Sequence, residues 1–581
     1  MNTASGFIID YLKKYESSKE IFYTKKDNKY IPFNYEELFS SVTSLIKYFA
    51  ENGIIEGDKA AIISENRIEW AVTDIACIFK KIVTVPVYPS ITPEQIKYIL
   101  NNAEVKVCFV SGKHILDKIL SIRNDVPTLT KIITFNDIPS ENAETLDSIL
   151  RKECYSIEEF EKLNEEIQPD DDLTYIYTSG TTGEPKGVIL THKSISANIS
   201  GCMKVLKIND KDIFLSFLPY SHSYERTAGY YLALFSGAKI YFAESIDSIS
   251  VQLPEVKPTI LICVPRLLER VYNKLLRTSI DMPEGFKKKI FNRGLNAALN
   301  KTYTKDSWKW KIADKLVYSK IRGKTGGRVR FFASGGGALN KKIGEFFDYI
   351  GMTVLEGYGL SEFSPVISVN HLEKNKYGTV GLPLSGVTVK IAEDGEIIVK
   401  GDSIMKGYYK LPGETETAIR DGWLFTGDIG TIDSDGFIQI TDRKKSLFKT
   451  SGGKYIAPTH IEALISQLPY VDQIIVIGNN RMFVAALLYP DTTALRNAYK
   501  DISGVELPLK DITDNKEILK MVEKDLLKIQ KDLAQFERVR KFRLLKEPFT
   551  IENGEMTPTM KLKRKVIEEK FSDIIEGMYQ L

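Results

Sequence analysis

Cysteine is scarce in this chain. Five occur among 581 residues (Cys77, Cys108, Cys154, Cys202 and Cys263), widely scattered and with no C-x-x-C pair. That argues against a zinc site or a disulfide framework and fits a reducing compartment. No apolar stretch reaches the ~18 residues of a membrane-spanning helix. The opening MNTASGFIIDYLKKYESSKE lacks a basic start followed by an apolar run, so no secretory signal is read. Net charge is small as well: 79 bases against 76 acids leave +3, which points to no class of partner and gives no ground to expect nucleic acid. Internal repeats and low-complexity tracts are missing. The expectation is a cytoplasmic protein, with peripheral attachment to a membrane left open.

The length exceeds what one hydrophobic core supports, so two or more domains are expected. Strand-like and helix-like segments alternate, which reads as α/β. DKAAIIS at 58–64, VKVCFV at 105–110 and 131–135 are strands. Thr92 opens a helix as its cap, with Pro93 in the first turn and Gln95 three residues after the cap. Near Asp442 the character changes. Beyond it lie a strand pair (QIIVIG, MFVAALLYP), a polar helical stretch over about 514–536 and a basic tail, together the size of a small separate domain. The boundaries expected are 1–442 for a large α/β body and 443–581 for a small one, with no Gly/Ser linker between them.

One stretch breaks the charge balance. Residues 287–330 hold 14 lysines and arginines against Asp306 and Asp314, a net +12, with Trp308, Trp310, Ile312, Leu316 and Val317 interleaved. Two readings stay open: a solvated amphipathic helix whose apolar residues pack on the domain, or a helix lying on an anionic membrane surface.

The segment TSGTTGEPKG at 178–187 cannot pack a core. It joins the strand LTYIYT to the strand VILT, after which Thr191 caps a helix. Its glycines let backbone approach a ligand closely, while its hydroxyls, free N–H groups and Lys186 suit a polyphosphate. The spacing differs from the common phosphate loop, because Lys186 follows Gly183 by three and a strand comes next.

Taken with several segments further along the chain, this loop resembles the signature of the adenylate-forming superfamily, and within it the long-chain fatty acyl-CoA synthetases. LPYSHSYERT, with His222 and Glu225, is similar to a stretch beside the acyl carboxylate in those enzymes, and VPRLLERVY, with Pro265 and Arg266, to another. FFASGGGALN, with Gly335, Gly336 and Gly337, resembles the turn that flanks adenine, although most relatives have Ala-Pro where Gly337 and Ala338 stand. LEGYGLSE supplies Glu356, Gly357, Tyr358, Gly359, Ser361 and Glu362; Ser361 stands where the family usually has threonine. GWLFTGDIG supplies Asp428, and TDRKKSLFKTSGGK supplies Arg443, Lys445, Ser451, Gly452 and Gly453. EMTPTMKLKRK ends the series with Lys561.

The resemblance implies a large multi-sheet N-terminal adenylation domain and a small mobile α+β C-terminal domain. It implies an enzyme that joins a long-chain fatty acid to AMP with release of pyrophosphate, then passes the acyl group to the thiol of CoA. Thr178, Ser179, Gly180, Thr181, Thr182, Gly183 and Lys186 would hold the phosphates, and Thr178 and Glu362 the Mg2+. Tyr358 would stack on adenine, and Asp428 and Arg443 would hold the ribose. His222 would lie near the acyl carboxylate. Lys561 would be the catalytic lysine, Lys445 the hinge, and the 451–454 turn would face pantetheine. ATP, a fatty acid and CoA are the implied small-molecule partners; a homodimer stays open.

Alternatives remain at this point. A carrier protein's phosphopantetheine suits the 451–454 turn as well as CoA does, though no carrier module is visible in the chain. A medium-chain acid would use the same motifs. A non-catalytic nucleotide- or lipid-binding module would need a decayed site, and the presence of Glu362, Asp428, Arg443 and Lys561 argues against it. Tyr224, Tyr230, Tyr231 and Phe235 read equally as channel lining or as core.

Overall fold

The computed structural model describes residues 3–580 except 152, 154, 179–183, 445–446, 453, 506, 509–511, 551 and 558–561. Contacts divide the chain into two bodies. The first comprises Met1–Lys390, Ile398–Phe425 and Asp433–Ile438; the second comprises Ile391–Ile397, Thr426–Ile432 and Gln439–Leu581.

Among the described residues the first body carries sheets of nine and eight strands. In the eight-stranded sheet, Lys59–Ile63 lies between Val83–Val87 and Val105–Val110, all parallel. These strands read as near-continuous apolar runs, as parallel strands covered on both faces do. Ala61, Ile63, Val85, Val105, Cys108 and Val110 form one core with helix residues Ile96, Ile99 and Leu100. At its other end the strand Asp172–Thr178 turns back antiparallel to Lys186–Thr191, with Thr178 opposite Lys186. The nine-stranded sheet has a parallel centre of Ile213–Ser216, Ile260–Cys263, Phe331–Ser334 and Val354–Gly359. Val366–Val369 then runs antiparallel beside Val354–Gly359.

Local capping chemistry fixes where helices begin. Thr92 and Gln95 exchange hydrogen bonds in a capping box at the head of Pro93–Ala103. Thr191 and Ser194 do the same for His192–Leu206. Each satisfies two N–H groups that the first helical turn leaves unpaired.

The basic stretch is not one amphipathic helix. Phe286–Leu299 is a separate helix, and a second helical run spans Trp308–Ala313, Asp314–Tyr318 and Ser319–Gly323. Trp310 and Val317 are buried in the core, but Trp308, Ile312 and Leu316 are exposed. The apolar residues of this stretch therefore split between core and surface.

In the second body Val471–Ile477 pairs antiparallel with Val484–Pro490, which pairs parallel with Val539–Leu544. Helices Pro458–Ile465 and Lys516–Ile529 cover one face through Ile461, Ile465, Ile518 and Val522. Residues of Arg564–Lys570 and Ser572–Tyr579 join a second cluster with Ile475, Ile477 and Leu487. No helix among the described residues is long and apolar enough to cross a membrane.

Candidate active site

In the first body the strands Asp172–Thr178 and Lys186–Thr191 pair antiparallel near one edge of the eight-stranded sheet. Of the predicted loop, Thr178 and Lys186 are described, half-buried, at the two strand ends. Ser179, Gly180, Thr181, Thr182 and Gly183 lie outside the described residues. Gly407–Tyr408 pairs antiparallel beside Lys186–Thr191 and brings Tyr408 to the same edge. The Lys186 ammonium pairs with the Glu414 carboxylate and sits 5.2 Å from the centre of the Tyr408 ring. The Tyr408 hydroxyl donates to Glu362 Oε1 at 2.9 Å. Tyr408 thus links two residues that the sequence placed on the phosphates and the metal. Its burial raises the phenol's pKa, so it stays a donor.

Glu362 sits in a short turn, Ser361–Phe363, after the strand Val354–Gly359. Asn198 anchors the following backbone by donating to the carbonyls of Phe363 and Val366, at 3.2 and 2.8 Å. Ser361 Oγ lies 2.8 Å from Ser223 Oγ, which joins the LEGYGLSE segment to the His222 segment. His222 Nδ1 accepts the Tyr224 N–H at 3.1 Å, which orients its ring. Gly359 is obligatory on space alone, since a Cβ there would lie 2.0 Å from the Pro365 carbonyl oxygen.

The turn Gly335–Gly337 follows the strand Phe331–Ser334. Tyr224 lies under it, donating to the Ala333 carbonyl at 2.9 Å, and a Cβ on Gly335 would meet its ring at 2.8 Å. Glu356 is buried and accepts the N–H groups of Leu339 and Gly378 at 3.3 and 3.4 Å. Burial pushes its carboxyl up to about 7. Gly357 and Tyr358 continue the same strand, with Tyr358 buried.

The buried pair Arg226–Asp74 escaped the sequence reading, as did the burial of Glu225. Arg226, in the π-helical turn Glu225–Tyr231, pairs with Asp74 and donates to Thr174 and Thr84 at 2.7 Å each. Tyr231 accepts from Arg226 and donates to Asp74. Glu225 takes one hydrogen bond, from Ser216 at 2.7 Å, and burial pushes its carboxyl up to about 8. Tyr230, Tyr231 and Phe235 are core rather than exposed lining, packed with Trp70, Tyr220 and Phe7.

In the second body Asp428 is buried on the strand Trp423–Ile432 and pairs with Arg443 Nε at 3.2 Å. Its own N–H donates to Thr426 Oγ1, and Thr426 donates to the Ile397 carbonyl. Glu396 accepts from the Gly427 N–H and from Lys444, which steadies the turn on either side of Asp428 and Arg443. Ser451 and Gly452 are exposed in the turn between Phe448–Lys449 and Tyr455–Ile456, where Ser451 N–H donates to the Arg481 carbonyl. Lys445, Gly453 and Lys561 lie outside the described residues. Beside Lys561, Met556 and Leu562 pair across an isolated antiparallel bridge.

Residues 12–409 match the family model described as AMP-binding enzyme, and residues 446–581 match the AMP-binding enzyme C-terminal domain. The chain belongs to the AMP-binding enzyme family. Among curated relatives of this AMP-binding enzyme, the long-chain-fatty-acid–CoA ligase FadD15 of Mycobacterium bovis is 32% identical over 540 residues, 91% of this chain and 89% of that protein. The peroxisomal long chain acyl-CoA synthetase 6 of Arabidopsis thaliana is 33% identical over 583 residues, 94% and 81% of the two chains. Among solved structures, the anthranilate CoA ligase AuaEII in complex with anthranoyl-AMP aligns with a TM-score of 0.76 at 17% identity, covering 99% of this chain and 98% of that one. A Mycobacterium tuberculosis fatty acyl CoA synthetase aligns with a TM-score of 0.64 at 20% identity, covering 99% of each chain. The structural matches show that this AMP-binding enzyme has the adenylate-forming fold.

Proposed function

We propose that the protein is a long-chain-fatty-acid–CoA ligase that forms AMP. The observation that carries the reading is the linked set Lys186, Tyr408 and Glu362, with Thr178 opposite Lys186, in a chain whose relatives are named for that activity. The fatty carboxylate attacks the α-phosphorus of ATP; the bond from that phosphorus to the bridging oxygen breaks, and pyrophosphate leaves. The CoA sulfur then attacks the acyl carbon, the bond to AMP breaks, and the thiol proton passes to solvent. An in-line phosphoryl transfer needs little beyond positioning and charge neutralisation.

On this reading Lys186 and residues 178–183 bind the β- and γ-phosphates. Release of Lys186 from Glu414 on ATP binding frees the ammonium for phosphate. Ser361 and the His222 segment, tied to each other through Ser223, position the acyl carboxylate. Tyr358 and the 335–337 turn hold adenine, and Asp428 with Arg443 holds the ribose. Lys561 neutralises charge as the adenylate forms. The domains at work are 1–442 and 443–581, with Lys445 as the hinge and residues 451–454 facing pantetheine.

Magnesium is supported by Glu362. Among the described residues no group of three or more His, Cys, Asp or Glu gathers as a metal cage, and only Tyr408 donates to the Glu362 carboxylate. A lone carboxylate suits a hard cation that takes its other ligands from phosphate and water. When bound, it supplies charge neutralisation; Glu362 and Thr178 would hold it. A cytoplasmic setting is supported by the buried thiols of Cys77, Cys108, Cys202 and Cys263, which suit reducing conditions.

The test is acid-dependent pyrophosphate release from ATP. Release with palmitate, and none with acetate or benzoate, is expected; release without any acid contradicts the reading.

A further inference from the structure

We propose that Tyr224 is a positioning residue for adenylation, which fixes the His222 segment against the 335–337 turn. On the ligase reading, on which this inference rests, the first of these holds the acyl carboxylate and the second holds adenine. Tyr224 stands between them and acts through both. Its backbone N–H donates to His222 Nδ1 at 3.1 Å. A neutral imidazole that accepts at Nδ1 carries its proton on Nε2, so His222 offers a donor there. The segment around it is moored. Asn66 accepts the Tyr220 N–H at 2.9 Å and donates to the Leu218 carbonyl at 2.6 Å. On the other side the Arg226 N–H donates to the His222 carbonyl at 3.0 Å, and its guanidinium pairs with buried Asp74.

The side chain of Tyr224 reaches the adenine side. Its hydroxyl donates to the Ala333 carbonyl at 2.9 Å, with the Cys263 carbonyl at 3.4 Å. Those carbonyls belong to adjacent parallel strands, Ile260–Cys263 and Phe331–Ser334. The Cys263 carbonyl also accepts the Gly335 N–H at 3.2 Å, so the hydroxyl and the first residue of the turn share an acceptor. The turn lies directly on the ring: a Cβ on Gly335 would meet it at 2.8 Å. A tyrosine that only filled core space would need a single hydrogen-bond partner for its hydroxyl. This one ties two strand ends, the head of the turn and the His222 ring to one side chain and its own backbone.

The two half-reactions depend on this contact differently. Adenylation needs the carboxylate oxygen in line with the α-phosphorus and the departing pyrophosphate, and a misplacement of about 1 Å costs up to about a hundredfold. Once acyl-AMP exists, that oxygen–phosphorus bond is already made. Attack by the CoA sulfur on the acyl carbon then makes no use of the alignment at phosphorus. Loosening Tyr224 should therefore slow the first step and spare the second.

Tyr224→Phe in the full chain keeps the ring and removes the hydroxyl. Single-turnover pyrophosphate release from saturating ATP, magnesium and palmitate should slow about tenfold or more, with both KM values within about twofold of the wild type. Thioester formation from supplied palmitoyl-AMP and CoA should also stay within about twofold. Gly335→Ala presses on the same contact from the other side and should slow adenylation as well. In Y224F/G335A the combined loss should fall short of the product of the single losses, because both changes disturb one contact. Nitrogen NMR of histidine-labelled protein, assigned with His222→Gln, should show the His222 proton on Nε2. Adenylation by Tyr224→Phe at the wild-type rate, equal slowing of both half-reactions, fully multiplicative losses in the double variant, or a His222 proton on Nδ1 would each overturn the proposal while leaving the ligase reading in place. Absence of pyrophosphate release from the wild type with every acid tried would instead overturn the ligase reading, and the proposal would fall with it.

Discussion

Removing the Asp74 carboxylate tests how the first body holds the turn Glu225–Tyr231. Asp74→Asn leaves the Arg226 guanidinium buried, with 1% of its side chain exposed, and without its counter-ion. Thr84, Thr174 and Tyr231 still accept from it, but none carries charge. Breaking a buried pair by removing one partner costs about 3–5 kcal/mol. The first body has about 420 residues. At roughly 2.1 cal/mol/K of unfolding entropy per residue, that loss lowers Tm by about 3–6 °C. Calorimetry at one fixed scan rate reads it, the fixed rate being needed because large proteins often unfold irreversibly. Arg226 joins four elements: the helix Ile68–Phe79, the strands Val83–Val87 and Asp172–Thr178, and the turn Glu225–Tyr231. Pyrophosphate release should therefore fall along with Tm. The apolar double variant D74L/R226M should recover much of the lost Tm, because neither charge remains to be buried. A single variant melting within about 1 °C of the wild type would show that the pair does not hold these elements together.

Tyr408→Phe keeps the ring beside Lys186 but removes the donor to Glu362; kcat for pyrophosphate release should fall about 3- to 10-fold with the KM for fatty acid unchanged. Glu225 holds a proton in the folded state up to about pH 8, whereas the unfolded chain releases it near the usual carboxylate value. Stability from this site therefore falls as pH rises from about 4.5 through about 8. Glu225→Gln should flatten that fall, and melting curves at pH values on both sides of the window check it. Lys561→Ala should cripple adenylation yet spare thioester formation from supplied acyl-AMP, and Lys445→Pro should do the reverse; each is read by assaying the two half-reactions separately.

Features written locally were legible in the sequence. The Thr92 and Thr191 caps lie within three residues of their partners, and the strand at 105–110 is an unbroken apolar run. The glycine- and threonine-rich turn was found because its composition suits no core. Groups that meet only after folding were missed. Tyr408 and Glu362 are 46 residues apart, and a tyrosine in GYYKLPGE announces nothing about a carboxylate elsewhere. Asp74 and Arg226 are 152 apart, and a lone aspartate in the apolar helix 68–79 reads as an accident until its partner is seen. The basic stretch was half legible. Its charge was plain, but which aromatics turn inward depends on the neighbouring helix and on Gly294.

On the proposed function, this chain spends ATP to join a long-chain acid to CoA through an adenylate. Purified protein supplied with ATP, magnesium, palmitate and CoA should form AMP, pyrophosphate and palmitoyl-CoA in equal amounts, and omitting palmitate should stop all three. ADP and inorganic phosphate in their place, or AMP formation indifferent to the acid, would speak against an acyl-adenylate route.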